Sequence, residues 1–227
     1  DDFNRAVILF NKLRYNIDTL IYKYVCNDLE FSQSGICRLN LKKLYMIPEI
    51  FQLRLLSYLI KIIGGKKYPR RKKVLYNLLT NIKNENNKTF TIGGSYIKVS
   101  RDNITLSRQS DKSITCSKID NTNTLWDRRF LVLNKTKRKN LTIGPLGEQD
   151  YLSMIKLNKI QKPSINFNAI KTIPAFRVLE QIVSVPHLSY WKSSFWKNNI
   201  YLNHINYRWC RIYWKYYFKT TDCLQSQ

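Results

Sequence analysis

"KTFTIGGSYIKVSRDNITLSR", residues 88–108, is the stretch that decides the fold. Its apolar residues recur at every second position, the mark of half-buried strands, and not at the three-and-four spacing of a helix. Gly93-Gly94 and Arg101-Asp102-Asn103 punctuate it, so it predicts strand, glycine turn, strand, polar turn, strand. The residues before it read as helix. The chain is therefore expected to be α+β: a helical N-terminal half, a long helix plus a helix pair, over 1–84, joined to a small mixed α/β C-terminal domain over 85–190.

Upstream, Phe3, Ala6, Val7, Phe10, Leu13, Ile17, Leu20, Ile21 and Tyr24 line one face of a helix over 3–26 that needs a partner. "SGICRLNL" (34–41) reads as a short strand or extended link. Pro48 opens a helix that Gly64-Gly65 closes, with proline first and glycine last. It is apolar nearly all round, which suits a central position. A third helix is expected from Pro69, burying Leu75, Leu78, Leu79 and Ile82.

Downstream, 109–123 reads as a polar loop and "LWDRRFLVLN" (125–134) as one strand, followed by a basic hairpin "KTKRKN". "LTIGPLG" (141–147) reads as strand and turn, 148–157 as helix, 170–174 as the end of a loop, and "QIVSVPHL" (181–188) as a last strand. The segment 190–218 holds twelve aromatics, several cations and no acid, with no clean period. Stacking on nucleic acid, structural packing and a non-native extension all stay open for the tail 191–227.

The 227 residues carry 39 Lys and Arg against 15 Asp and Glu, a net charge of +24. That excess points to a polyanion, either nucleic acid or an acidic membrane surface. Cys26, Cys37, Cys116, Cys210 and Cys223 are odd in number and widely spaced, which fits reduced thiols in a cytoplasmic setting and argues against a disulfide framework or a zinc site. No apolar run is long enough to cross a membrane. The first residue is Asp, so a longer parent chain is expected.

"IIGGKKYPRRKK" (62–73) puts Lys66, Lys67, Arg70, Arg71, Lys72 and Lys73 around an expected helix start, the end where cations are disfavoured by about 0.3–1 kcal/mol each. A bound phosphate would resolve that conflict by meeting the helix dipole, the free N–H groups and the side chains together. Arg128 and Arg129 form a second basic zone; alternation along a strand would turn only one of them toward a partner. Trp126 reads as an anchor at the core edge, and His187 as a hydrogen-bonded structural histidine. "TIGGS" (91–95) is not a phosphate loop, because such a loop leads into a helix and this one leads into a strand. Asp127, Glu148 and Asp150 make no convincing catalytic pair.

Five stretches in order, "IIGGKKYPRRKKVLYNLL", "TFTIGGSYIKVS", "LWDRRF", "LTIGPLGEQDYL" and "IPAFRVLEQIVSVPHL", resemble the region after the catalytic domain in tRNA(Ile)-lysidine synthetases of the alphaproteobacterial form. The resemblance covers roughly residues 1–190. It implies a parent ligase that uses ATP to join lysine to the wobble cytidine of an isoleucine tRNA, with a homodimer as one form open to that parent. It implies that 1–84 is a tRNA substrate-binding segment. ATP and lysine would be handled by an N-terminal domain whose Ser-Gly-Gly-x-Asp-Ser loop does not occur here, so this chain alone would be inactive. Arg128 stands where the family has Gly, and Ser95 where it commonly has Cys. A stand-alone nucleic-acid-binding module is the alternative; a peripheral membrane protein is a weaker one.

Overall fold

The computed structural model describes residues 2–25, 29–84, 87–119, 123–136, 138, 140–163 and 166–204. Its first half runs α1 (Asp2–Val25), β1 (Leu29–Phe31), β2 (Cys37–Asn40), α2 (Leu41–Met46), α3 (Glu49–Ile63), α4 (Lys72–Asn84), β3 (Thr89–Ile92), β4 (Ser95–Val99) and β5 (Asn103–Arg108). The five strands form one antiparallel sheet in the order β1-β2-β5-β4-β3. α3 lies at its centre. Leu53, Leu56, Leu59, Ile60 and Ile63 of that helix meet Ile97, Val99, Ile104 and Leu106 of the sheet, while Leu75, Leu78, Leu79 and Ile82 of α4 close the other side. Each such side chain, fully buried, stabilises the fold by about 1.5–3 kcal/mol relative to exposure.

This core runs unbroken from Ile21 to Leu106 and so crosses residue 84, where the helical segment was expected to end. The change of texture at Asn84 marks a change of secondary structure within one core. The helix expected from Pro69 begins at Lys72. α1 has its expected span, but among the described side chains of its apolar stripe Ile17 and Ile21 alone are packed in the core. Arg54 grips Asp18 with two hydrogen bonds, at 2.7 and 3.2 Å, and ties the helix down there. Phe3, Val7, Phe10 and Leu13 are exposed.

The second half runs β6 (Ser117–Lys118), β7 (Asn123–Trp126), β8 (Phe130–Asn134), β9 (Leu141–Pro145), α5 (Glu148–Lys156), α6 (Phe167–Ile170), β10 (Pro174–Val178), β11 (Gln181–Val185), a 3-10 turn (Pro186–Leu188), β12 (Tyr190–Trp191), α7 (Ser194–Asn199) and β13 (Ile200–His204). β12-β11-β10-β9-β6 make one sheet and β13-β8-β7 another. The larger sheet is covered twice. Ile143, Phe176 and Val183 face the smaller sheet, with Trp126, Phe130 and Val132. Ala175 and Val185 face the layer of Tyr151, Met154 and Ile170. That alternation is the two-residue period of strands.

Several local expectations are corrected here. The stretch 125–134 is a hairpin, with Trp126 paired to Phe130 across a turn at 127–129. The strands flanking the expected basic hairpin are not partners: β8 pairs with β7 and β13, whereas β9 pairs with β10 and β6. β10 is a full strand at the centre of its sheet, where only the end of a loop was read at 170–174. Residues 191–204 belong to the body: Trp196, Ile200 and His204 are buried, and β13 pairs with β8 along its whole length. The rest of the tail, 205–227, lies outside the described residues.

Candidate nucleic-acid interface

The basic segment starts from the end of α3. Lys66 N–H donates to Lys61 O at 3.1 Å and Gly65 N–H to Ile62 O at 3.3 Å, the paired bonds of a Schellman helix stop. The β3–β4 turn is pressed onto this stop. A Cβ on Gly64 would lie 2.0 Å from Gly93 O, so backbone meets backbone there. Ser95 seals the contact by donating its buried hydroxyl to Ile60 O at 3.1 Å. The Lys66 and Arg70 side chains lie across the turn: a Cβ on Gly94 would meet Lys66 Cε at 2.9 Å, and one on Gly93 would meet Arg70 Nε at 3.0 Å. Gly93-Gly94 is thus a tight turn between paired strands, packed against protein on both sides and followed by a strand. It offers no cradle for ATP phosphates.

Arg71 occupies the N-cap of α4, its carbonyl accepting from Val74 N–H at 3.1 Å and Leu75 N–H at 3.4 Å. An arginine side chain has no acceptor, so it cannot cap the first turn, and that turn carries no acid. Lys72 and Lys73 are its first residues. Of the expected first-turn cations, Arg70 and Arg71 therefore precede the helix. Lys67, Arg70, Arg71, Lys72 and Lys73 are exposed and Lys66 half-buried. Among the described residues none of the six forms an ion pair with a carboxylate. Lys67 and Lys72 sit over the rings of Tyr68 and Tyr76, each at 5.4 Å.

Arg128 and Arg129 separate completely. The turn that holds them puts Asp127 and Arg128 at positive φ, 47° and 53°, and closes with Arg129 N–H donating to Trp126 O at 3.0 Å. Arg128 therefore keeps the conformation that a glycine would hold at no steric cost. It points outward, and its turn rests on the basic segment, since a Cβ on Gly65 would lie 2.6 Å from Asp127 O. Arg129 is 1% exposed and cannot meet a macromolecule. The expectation that one of the pair faces outward holds, but the cause is a turn and not strand alternation.

Arg129 instead belongs to a buried network that sequence reasoning missed. Its Nε donates to Asp127 Oδ2 at 2.7 Å and its Nη2 to Thr172 O at 3.0 Å. Arg108, 2% exposed, reaches the same carboxylate from β5, with Nε at 3.1 Å from Oδ2. It also donates to Gly94 O at 2.9 Å, Asp111 Oδ2 at 3.1 Å and Ser113 Oγ at 3.0 Å. One carboxylate thus ties the front sheet to the rear one. Burial pushes the Arg129 guanidinium down to about 10, partly offset by Asp127, so it stays charged at neutral pH. His187 and His204 lie beside it against Phe130. Burial first and the Arg129 charge second push them down to about 4 and about 3. Both are neutral structural rings under ordinary conditions. Trp126 is the expected anchor, its Nε1 donating to Thr115 O at 3.0 Å.

The acids considered for catalysis each face a cation: Asp127 as above, Asp150 with Arg177 at 2.7 Å, Glu148 with Lys171 at 3.5 Å. Cys37 is buried and Cys116 exposed, and neither is in a disulfide. Among the described residues no helix is long and apolar enough to cross a membrane, and no group of His, Cys, Asp and Glu could hold a metal ion.

No protein-family model matches the chain. It is similar to the tRNA(Ile)-lysidine synthase of Orientia tsutsugamushi, 25% identical over 182 residues, covering 78% of this chain and 41% of that protein. The tRNA(Ile)-lysidine synthases of Rickettsia felis and Rickettsia prowazekii are each 24% identical, covering 84% of this chain and 47% of theirs. The chain thus spans less than half the length of these curated relatives. Its similarity to these tRNA(Ile)-lysidine synthases extends along most of its own length.

Proposed function

We propose that the chain is the tRNA-binding portion of a tRNA(Ile)-lysidine synthase, and that Lys66, Lys67, Arg70, Arg71, Lys72, Lys73 and Arg128 hold the sugar-phosphate backbone. The observation that carries the reading is the basic segment, without a carboxylate partner among the described residues: six cations beside an acid-free helix start, with Arg128 delivered to the same place by the 127–129 turn. Phosphate contacts of this kind give affinity that falls steeply with salt. The RNA is read by shape and backbone, because A-form grooves hide base edges from side chains. Arg129 is withdrawn from the expected contact set because it is buried.

In the parent activity, ATP and free lysine modify the wobble cytidine of an isoleucine tRNA. The residues of this chain do not fit ATP at Gly93-Gly94, so those two substrates are assigned to a part of the enzyme outside this sequence. The chain alone then binds tRNA without consuming ATP or attaching lysine. The test is a tRNA gel shift at several salt concentrations, with an ATP-turnover assay on the same preparation. Lack of binding sinks the reading, and turnover by the isolated chain sinks the division of labour.

A further inference from the structure

A second cluster of rings and cations, built on other elements than the basic segment, lies on 130–147 and 190–204. It is built where β8 ends and β13 pairs with it. Lys135 N–H donates to Asn199 O at 2.9 Å, which fixes the strand exit next to the α7–β13 junction. Lys135 Nζ then lies 5.0 Å from the centre of the Tyr201 ring. Arg138 lies 5.3 Å from the Phe195 ring and 5.2 Å from the Trp196 ring. Those two rings meet edge to face at 5.2 Å. Trp196 is buried and holds the arrangement from below, whereas Phe195 is 41% and Tyr201 43% exposed. Asn199 Nδ2 donates to Phe195 O at 2.8 Å and Tyr201 Oη to Asn198 O at 2.9 Å, so both exposed rings sit on braced backbone.

The two segments that build this cluster carry charge of one sign. Neither 130–147 nor 190–204 contains an Asp or Glu, and among the described residues no carboxylate pairs with Lys135 or Arg138. A protein partner with an apolar face would leave these cations unanswered. An unpaired nucleotide answers both features, because its base has a face to lay on a ring and its phosphate carries the counter-charge. Duplex RNA does not, since its bases are already stacked.

We propose that Phe195, Tyr201, Lys135 and Arg138 form a stacking site for an unpaired nucleotide of the bound RNA. The site rests on the chain being an RNA-binding protein, but not on the basic segment at 66–73. The experiment uses the full chain and two probes: a short unstructured oligouridylate carrying a fluorescent adenine analogue, and a blunt RNA duplex. Wild-type protein should quench the analogue. The double variant Phe195→Leu, Tyr201→Leu keeps apolar bulk and removes both rings. It should lose the quench and bind the oligonucleotide about tenfold more weakly, with duplex binding unchanged. An unaltered oligonucleotide affinity, an equal loss on the duplex, or no quench by wild type would each overturn the site. If the double variant melts early, Arg138→Met, a change on an exposed side chain, takes its place with the same readouts. Failure of the basic-segment reading shows separately, as duplex binding with no salt dependence traceable to 66–73.

Discussion

Asp127 Oδ2 sits 2.7 Å from Arg129 Nε and 3.1 Å from Arg108 Nε, with the three side chains 8%, 1% and 2% exposed. One acid thus neutralises two buried bases that come from different sheets. Removing the acid leaves Arg129 without a carboxylate and Arg108 with Asp111 alone, which costs far more than losing an exposed ion pair would. Asp127→Asn is therefore expected to destabilise the protein by about 3–5 kcal/mol. Urea unfolding followed by circular dichroism measures it; a loss below about 1 kcal/mol would show that the pair behaves like an exposed one.

The glycine turns allow a graded comparison. Gly94 and Gly147 both have φ of +78°, and Gly147, with ψ of 169°, lies where essentially only glycine goes, so positive-φ strain of about 1–3 kcal/mol attends an alanine at either position. At Gly147 the new methyl meets nothing within 4 Å, whereas at Gly94 it meets Arg108 Nη1 at 2.8 Å and Gly64 O at 2.8 Å. Gly94→Ala adds this clash with backbone to its strain and should destabilise by more than about 3 kcal/mol, the upper end of strain alone. A smaller loss in urea unfolding would mean that the turn does not press on α3 as described.

Charge removal at the basic segment should separate binding from folding. Replacing Arg70, Arg71, Lys72 and Lys73 by Gln changes exposed side chains and leaves the melting temperature nearly intact. The log–log salt slope of tRNA binding should flatten by roughly one unit per lost phosphate contact, up to about four. Arg128→Gln should flatten it by about one more. Arg129→Gln should do the opposite: lower the melting temperature and leave the slope of the folded protein where it was.

Acid should weaken the fold before the carboxylates titrate. His187 and His204 have folded values of about 4 and about 3, below the ordinary value of 6.5. The unfolded chain then binds more protons below pH 6.5, so stability is complete above that pH and falls as the pH drops toward the folded values. Each fully depressed histidine contributes a slope of about 1.4 kcal/mol per pH unit in that window. Urea midpoints between pH 7 and pH 5 test this, with His187→Gln expected to shallow the slope. A flat profile would mean that the rings are reached by water.

The parts of the fold that follow a period were legible in the sequence. α3 ends where Gly64-Gly65 place it, and β3, β4 and β5 fall where alternation and turn residues put them. Long-range pairing was not legible. β13 finds β8 across some seventy residues, and the aromatics of 190–204 hide the strand because ring residues suit a strand, a turn or a core equally. Arg177 inside β10 masked that strand, since a charged residue reads as surface; its Nη2 instead donates to Pro145 O at 3.0 Å and to Asp150. Arg129 misled for the same reason. Composition reports a charge, and only the fold reports that Asp127 already answers it. Lys66 to Lys73 were legible as a cluster because nothing acidic lies near them in sequence, and their exposure agrees.

The turn at 127–129 has a mechanical consequence. Its inner residues are clamped by Arg108 and Thr172, and its outer face leans on Gly65. The backbone of Arg128 cannot shift relative to Gly65 without breaking buried bonds. The point from which this arginine extends is thus anchored to the end of α3, and only its side chain is left to adjust.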